Sequence, residues 1–209
     1  MCSTWLGRLG VIVAALLLPA TLLHAALPTP ADTPGRASLA GQLLVASEPM
    51  SDPRFAQTVV LIVRHDQNGA LGIVINRPIG ERPLASLLEA LGEKDAAVSG
   101  NVRIFLGGPV QPEIGFVIHS ADYHRSDTTD IDGHLAMTSS REILRDIGHQ
   151  QGPQKALVAF GYAGWAAGQL EGEMAQRAWF TAPADVKLVF DEDRDKVWDQ
   201  AMKRRTQDL

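Results

Sequence analysis

The sequence predicts an α+β fold: a single compact domain built on a mainly antiparallel or mixed β-sheet with flanking short helices. Three observations predict it. Two runs rich in β-branched residues, 58–66 and 70–76, meet at Asn68-Gly69, the strongest short-range hairpin pattern. Residues 83–91 and 192–205 carry apolar side chains at helical spacing instead. The chain has 209 residues and no internal repeat, enough for one well-buried domain behind a leader. Residues 1–26 read as a signal peptide or membrane anchor, 27–38 as a flexible linker and 39–209 as the domain.

The elements follow in order. Residues 7–27 hold one charge, Arg8, among apolar and small residues, and Leu23-His24-Ala25-Ala26 offers small residues for cleavage. That is the layout of a secretory signal. The stretch 9–27 is also nearly long enough to span a bilayer, so an uncleaved anchor is the alternative. A cleaved leader predicts a periplasmic protein and an anchor a membrane-attached one; a misassigned start codon predicts a cytoplasmic one. Residues 28–38, rich in Pro, Thr, Ala and Gly, link the leader to the domain.

The domain opens with a short apolar strand at 42–46, and Pro49 and Pro53 punctuate the loop that follows. With Asn68-Gly69 as the turn, His65 faces Gly72, Val63 faces Val74 and Leu61 faces Asn76. Those six residues share one face of the hairpin, and Val60, Ile62, Ile73 and Ile75 share the other. Both faces are largely apolar, so the hairpin should be central and covered on both sides. Pro83 suits the first turn of a helix whose Leu84, Leu87, Leu88 and Leu91 recur at helical spacing, with Gly92 as its C-terminal cap.

Residues 102–106 and 115–119 read as strands, joined by a turn at Gly107-Gly108-Pro109-Val110. Residues 120–133 read as a polar, mobile loop. Ser139 and Glu142 suggest a capping box for a helix over 140–148. Residues 156–160 read as a buried strand, and a glycine-rich run from Gly161 to Glu171 leads into a helix over 170–176. Residues 179–181 and 186–190 read as closing strands. The last helix, 192–205, is acidic at its start and basic at its end, as the macrodipole prefers, with Val197, Trp198, Ala201 and Met202 as its buried stripe.

These segments together resemble the bacterial YqgE/AlgH family. The matching residues are Gly41-Gln42-Leu43-Leu44-Val45-Ala46, Met50-Ser51-Asp52-Pro53-Arg54-Phe55 and Leu71-Gly72-Ile73-Val74-Ile75-Asn76-Arg77-Pro78. Further matches are Gly107-Gly108-Pro109-Val110, Gly115-Phe116-Val117-Ile118-His119-Ser120, Thr138-Ser139-Ser140-Arg141, the Gly161 run and residues 179–185. They lie in order over residues 39 to 198. The resemblance implies a single α+β domain. Its members are mostly uncharacterised, and some are labelled transcriptional regulators of exopolysaccharide (alginate) production. It implies no catalytic residue and no cofactor. The leader is a departure from typical members, which look cytoplasmic, and an exported domain does not meet the chromosome.

Composition narrows the function classes. Removing residues 1–25 takes away Arg8 and no acid, which leaves a net charge of −6. The one basic cluster, Lys203-Arg204-Arg205, suits a helix C-terminus, so no direct nucleic-acid binding is expected. Cys2 is the only cysteine and lies in the leader, which leaves no disulfide, thiolate nucleophile or cysteine metal site beyond it.

The best candidate site is the Gly161 run. Gly161, Gly164 and Gly168 at a strand-to-helix junction let backbone N–H groups approach a ligand, with Tyr162, Trp165 and Gln169 alongside. Close helix-on-sheet packing explains the same glycines equally well. Gly107 and Gly108 form a second glycine turn. His65 and Asn76 complete the candidates, roughly 13 Å apart at ~3.3 Å per residue and so unable to pair directly. His119, His124 and His134 stand among Asp122, Asp127, Asp130 and Asp132, but without metal-site spacing; a solvated acidic loop is the expectation and no metal or cofactor is implied. No Gly-x-Ser-x-Gly elbow occurs. The reading is a non-enzymatic domain that binds a small ligand or protein partner and is compatible with regulation. The alternatives are the transcriptional regulator of the family label, and an unrecognised hydrolase or transferase using His65 or His119. The membrane enters only through the leader.

Overall fold

The structure is a computed structural model and describes residues 38–93, 95, 97–190 and 193–206. The leader, most of the linker and Glu192 lie outside the described residues. No helix among the described residues is long and apolar enough to cross a membrane. The α+β expectation holds. Strands β1 (Gln42–Ala46), β2 (Val59–Asp66), β3 (Gly69–Val74), β6 (Val110–Ser120), β7 (Thr128–Asp130), β8 (Leu135–Thr138), β9 (Ala156–Ala166) and β10 (Trp179–Pro183) form one sheet in the order β10-β1-β2-β3-β9-β6-β8-β7. Off this path, β4 (Pro78–Pro83) pairs with β5 (Asn101–Leu106), and β5 runs parallel to β9. The other pairings are antiparallel.

Apolar burial on both sheet faces holds the fold together. One face packs Leu61, Val63, Ile73 and Ile75 against the C-terminal helices α4 (Val186–Val189) and α5 (Arg194–Lys203). The other face packs Leu44, Val60, Ile62 and Val74 with Trp165, Trp179 and Leu170 of helix α3 (Gln169–Ala175). Helices α1 (Leu84–Ala90) and α2 (Glu142–Gly148) cover a third cluster over β5, β6 and β9. The β2–β3 hairpin is therefore central and double-sided, as its composition predicts.

Its register differs from the expected one. The turn residues are Gln67 and Asn68, because the Asp66 carboxylate accepts from the Asn68 N–H at 2.7 Å and closes the chain one residue early. Gly69 is thereby drawn into β3 (φ 127°), where an added Cβ would lie 2.0 Å from the Trp165 carbonyl oxygen. His65 consequently faces Ala70, not Gly72. A bulge at Val63 then shifts the register by one further residue, so Leu61 faces Ile73 and Val60 faces Val74. An odd slip exchanges the faces of one strand relative to the other, which is why Ile73 and Ile75 join Leu61 and Val63.

Four other expectations are corrected. Residues 186–190 hold a helical turn, not a strand, because the Asp185 carboxylate caps it through the Leu188 N–H at 2.8 Å. Residues 120–133 include β7 and are tied down: Asp127 accepts from Ser140 N–H, and Asp132 from the N–H groups of His134 and Leu135. The Ser139–Glu142 capping box does not form. Helix α2 starts at Glu142 with Arg141 as its N-cap, too late for Ser139 to reach an open N–H. The last correction concerns the Gly161 run. Strand β9 continues through it to Ala166, so most of the run is sheet and not a junction loop.

Candidate functional site

The glycines of the run are placed by backbone contact. Gly107 and Gly108 cross β9 at Gly161 and Tyr162. A Cβ on Gly107 would lie 2.3 Å from the Gly161 oxygen, one on Gly108 2.1 Å from the Tyr162 carbonyl carbon, and one on Gly161 2.4 Å from the Gly108 oxygen. Two main chains therefore fill the space that the loop reading leaves for a ligand. Gly164 and Gly168 are exposed, and Gly168 (φ 74°) is the N-cap of α3.

Tyr162 and Trp165 do not wall one hollow. Three residues apart on a strand, they point to opposite faces. Tyr162 packs edge-on against Phe116 at 6.2 Å on one side of the sheet. Trp165 packs edge-on against Trp179 at 5.8 Å on the other. Both indoles donate to the same Glu173 oxygen, at 2.9 and 2.8 Å, while Gln169 Nε2 donates to the other at 2.8 Å. Gln169 Oε1 accepts from Ala166 N–H. These side chains dock α3 onto the sheet.

His65 and Asn76 serve as staples. His65 Nδ1 accepts from Leu39 N–H at 3.1 Å, so Nε2 carries the proton and donates to Glu171 at 2.9 Å. One ring ties the first described residues to α3. Asn76 Oδ1 accepts from Val59 N–H and its Nδ2 donates to Gln57 O, which fixes the entry to β2.

His119 is fully buried, and a relay of hydrogen bonds satisfies it. Nδ1 lies 2.9 Å from the Ser120 carbonyl, an acceptor only, so Nδ1 carries the proton and Nε2 accepts from the Thr138 hydroxyl at 3.0 Å. Thr128 donates to Thr138 and accepts from Arg125 N–H. Tyr123 packs edge-on to the ring and donates its hydroxyl to Asp146 at 2.6 Å. Burial pushes the His119 pKa below its usual value, against the Ser120 carbonyl and Asp122, which favour the charged form. The folded state thus prefers neutral His119. Its contribution is fully present above the unfolded value of about 6.5 and is lost as pH falls through the lower folded value. Melts of wild type and His119→Gln from pH 7 to 5 should diverge, the wild type losing stability more steeply by up to about 1.4 kcal/mol per pH unit. Parallel slopes would refute the assignment.

The acidic loop spends its carboxylates on backbone N–H groups, in its own turns and in neighbouring segments. Asp122 accepts from Gln154 N–H and Asp130 from Gly133 N–H. Among the described residues, no three His, Cys, Asp or Glu side chains converge as metal ligands.

Two of the candidates, Asn76 and Gly108, line cavities. Asn76 lines a cavity of about 600 Å³ with Gln57, Pro78, Ile79, Trp198 and Asp199. Gly108 lines one of about 200 Å³ with Arg54, Phe55, Val74 and Pro109. The two cavities meet at Arg77 and Leu106, which line both. The floor follows from the fold, because the exits of β3 and β5 cross there: Leu106 N–H donates to Arg77 O, and Val74 N–H to Gly107 O. Arg77 is oriented by donating to Ala56 O at 2.6 Å. Arg54 binds Asp52 at 2.7 Å and holds that carboxyl below its usual pKa. Ile79 is 62 % exposed and Leu106 37 %, so the groove presents apolar surface beside guanidinium groups. Sequence reasoning missed Arg54, Arg77 and Leu106. Their signal was proximity to the Pro53, Pro78 and Pro109 corners, where chain direction changes.

A family model described as AlgH-like matches residues 43–209. A UPF0301 protein of Methylococcus capsulatus is 42 % identical over 169 residues, covering 81 % of this chain and 92 % of the relative. A UPF0301 protein of Azoarcus is 44 % identical over 160 residues, covering 75 % and 84 %. The solution structure of the AlgH protein from Pseudomonas aeruginosa superposes with a TM-score of 0.70 at 42 % identity, covering 80 % of this chain and 89 % of that one. A Corynebacterium diphtheriae protein shares the fold at TM-score 0.62 and 22 % identity, covering 80 % and 87 %.

Proposed function

The chain belongs to the AlgH-like family, and from that premise we propose that it is a non-enzymatic binding domain whose groove at Arg77 and Leu106 receives a segment of a partner protein. The observation that carries this reading is the pair of cavities joined at those two residues: Arg54 and Arg77 line the smaller one beside Phe55 and Pro109, and Asp195 and Asp199 share the larger one with Ile79. Such a surface suits an extended segment with an apolar anchor next to a carboxylate. The histidines support binding over hydrolysis: both nitrogens of His65 and of His119 are engaged within the fold. A groove of this kind also serves a regulator that acts through other proteins.

Photo-crosslinking in the native cell tests the proposal. A benzophenone amino acid at position 79 or 106 should yield one discrete protein adduct, whereas the exposed position 89 on α1 should not. Ile79→Asp should leave the melting temperature unchanged, since that side chain is exposed, and abolish the adduct formed from position 106. Equal adducts from positions 79, 89 and 106 would overturn the reading.

A further inference from the structure

A second cleft, of about 340 Å³, shares no lining residue with the groove. Ser47, Glu48, Phe180, Met202, Arg177 and Arg205 line it. Phe180 and Met202 are partly buried and pack on the main core, which gives the cleft an apolar floor. The Arg205 guanidinium lies 5.5 Å from the centre of the Phe180 ring and donates to Met202 O at 2.9 Å. That cation is held in place over an aromatic face.

Arg177 is the unusual member. It follows α3 in the left-handed region (φ 58°), with its N–H bonded to Met174 O and the next N–H, of Ala178, to Glu173 O. This is a Schellman ending, in which the left-handed position favours glycine. The chain keeps an arginine there, against backbone preference, and its side chain lines the same cleft as Arg205. Helix α2 ends the same way at Gln150, so what sets Arg177 apart is the cleft that its side chain lines with Arg205.

We propose that this cleft binds a small organic monocarboxylate with an apolar or aromatic body. Arg177 and Arg205 take the carboxylate. Phe180 and Met202 receive the body, and the volume lies at the small end of ligand sites. Glu48 sets the charge. Two guanidiniums and one carboxylate leave the cleft a single net positive charge, suited to a monoanion and poorly suited to phosphate dianion.

The test is a ¹⁵N NMR titration of the protein with 3-phenylpropionate, its neutral amide and inorganic phosphate. Saturable shifts are expected at Ser47, Glu48, Arg177, Phe180, Met202 and Arg205 with the carboxylate, and about tenfold weaker binding by the amide. Phosphate should not displace the carboxylate. Arg177→Gly separates fold from site. It relieves the left-handed residue and should raise the melting temperature by about 2–4 °C, while weakening the carboxylate about tenfold. Arg205→Gln should weaken binding with the fold intact. The proposal fails if no saturable shift occurs at these residues up to about 20 mM. It also fails if the amide or phosphate binds as well as the carboxylate, or if Arg177→Gly binds undiminished.

Discussion

Replacing Gly108 by Ala should leave little folded protein, with a loss of about 4 kcal/mol or more. The added methyl would lie 2.1–2.4 Å from the carbonyl group of Tyr162 and the N of Ala163. These are main-chain atoms of β9, the strand that pairs with β3, β5 and β6. No side-chain rotamer can relieve the contact, so the two main chains must separate, and the Val74 N–H to Gly107 O and Gly107 N–H to Phe160 O bonds would go with them. A domain of ordinary stability has about 5–15 kcal/mol in all. The control is Gly172→Ala in α3, where a Cβ meets nothing within 4 Å and should add about 0.5–1 kcal/mol. Urea unfolding followed by circular dichroism would measure both. A Gly108→Ala protein with a midpoint close to wild type would show that the crossing is not tight.

The same crossing shows where sequence reasoning reaches and where it stops. Patterns carried by side chains along one element were legible. The alternation in β2, the leucines of α1, and the Val197, Ala201 stripe of α5 all face the core as expected. What depended on two segments meeting was not. The glycine run reads locally as a strand, a loop and a helix start, because glycine lowers strand propensity and flanks helices. Only pairing with Gly69, Ala70, Leu71 and Gly72 extends β9 to Ala166. The hairpin register failed for a related reason: Asn68-Gly69 favours one turn, but the Asp66 side chain and a bulge at Val63 select another. The groove was invisible for the same cause. Arg54, Arg77 and Leu106 come from three separate segments, and nothing in the spacing of any one of them announces the others.

Substituting Glu173 by Ala should destabilise the protein by about 2–6 kcal/mol, the second largest effect expected of a single change. One carboxylate oxygen accepts from two indole N–H groups, those of Trp165 and Trp179, which are 7 % and 3 % exposed. Truncation leaves both donors facing apolar neighbours, and each unsatisfied donor costs about 1–3 kcal/mol. Glu173→Gln separates charge from geometry. Its amide oxygen can still take both indoles, but its NH₂ then meets Gln169 Nε2, itself a donor whose partner oxygen is held by Ala166 N–H. That variant should lose about 1 kcal/mol, between wild type and Ala. If α3 were docked by apolar contact alone, through Leu170 and Met174, both variants would stay within about 0.5 kcal/mol of wild type and tryptophan emission would not move. A graded loss with red-shifted emission in Glu173→Ala means that this carboxylate seats α3 on the sheet. Arg177 follows that helix directly, so the cleft it lines would then inherit its geometry from the seating of α3 by Glu173.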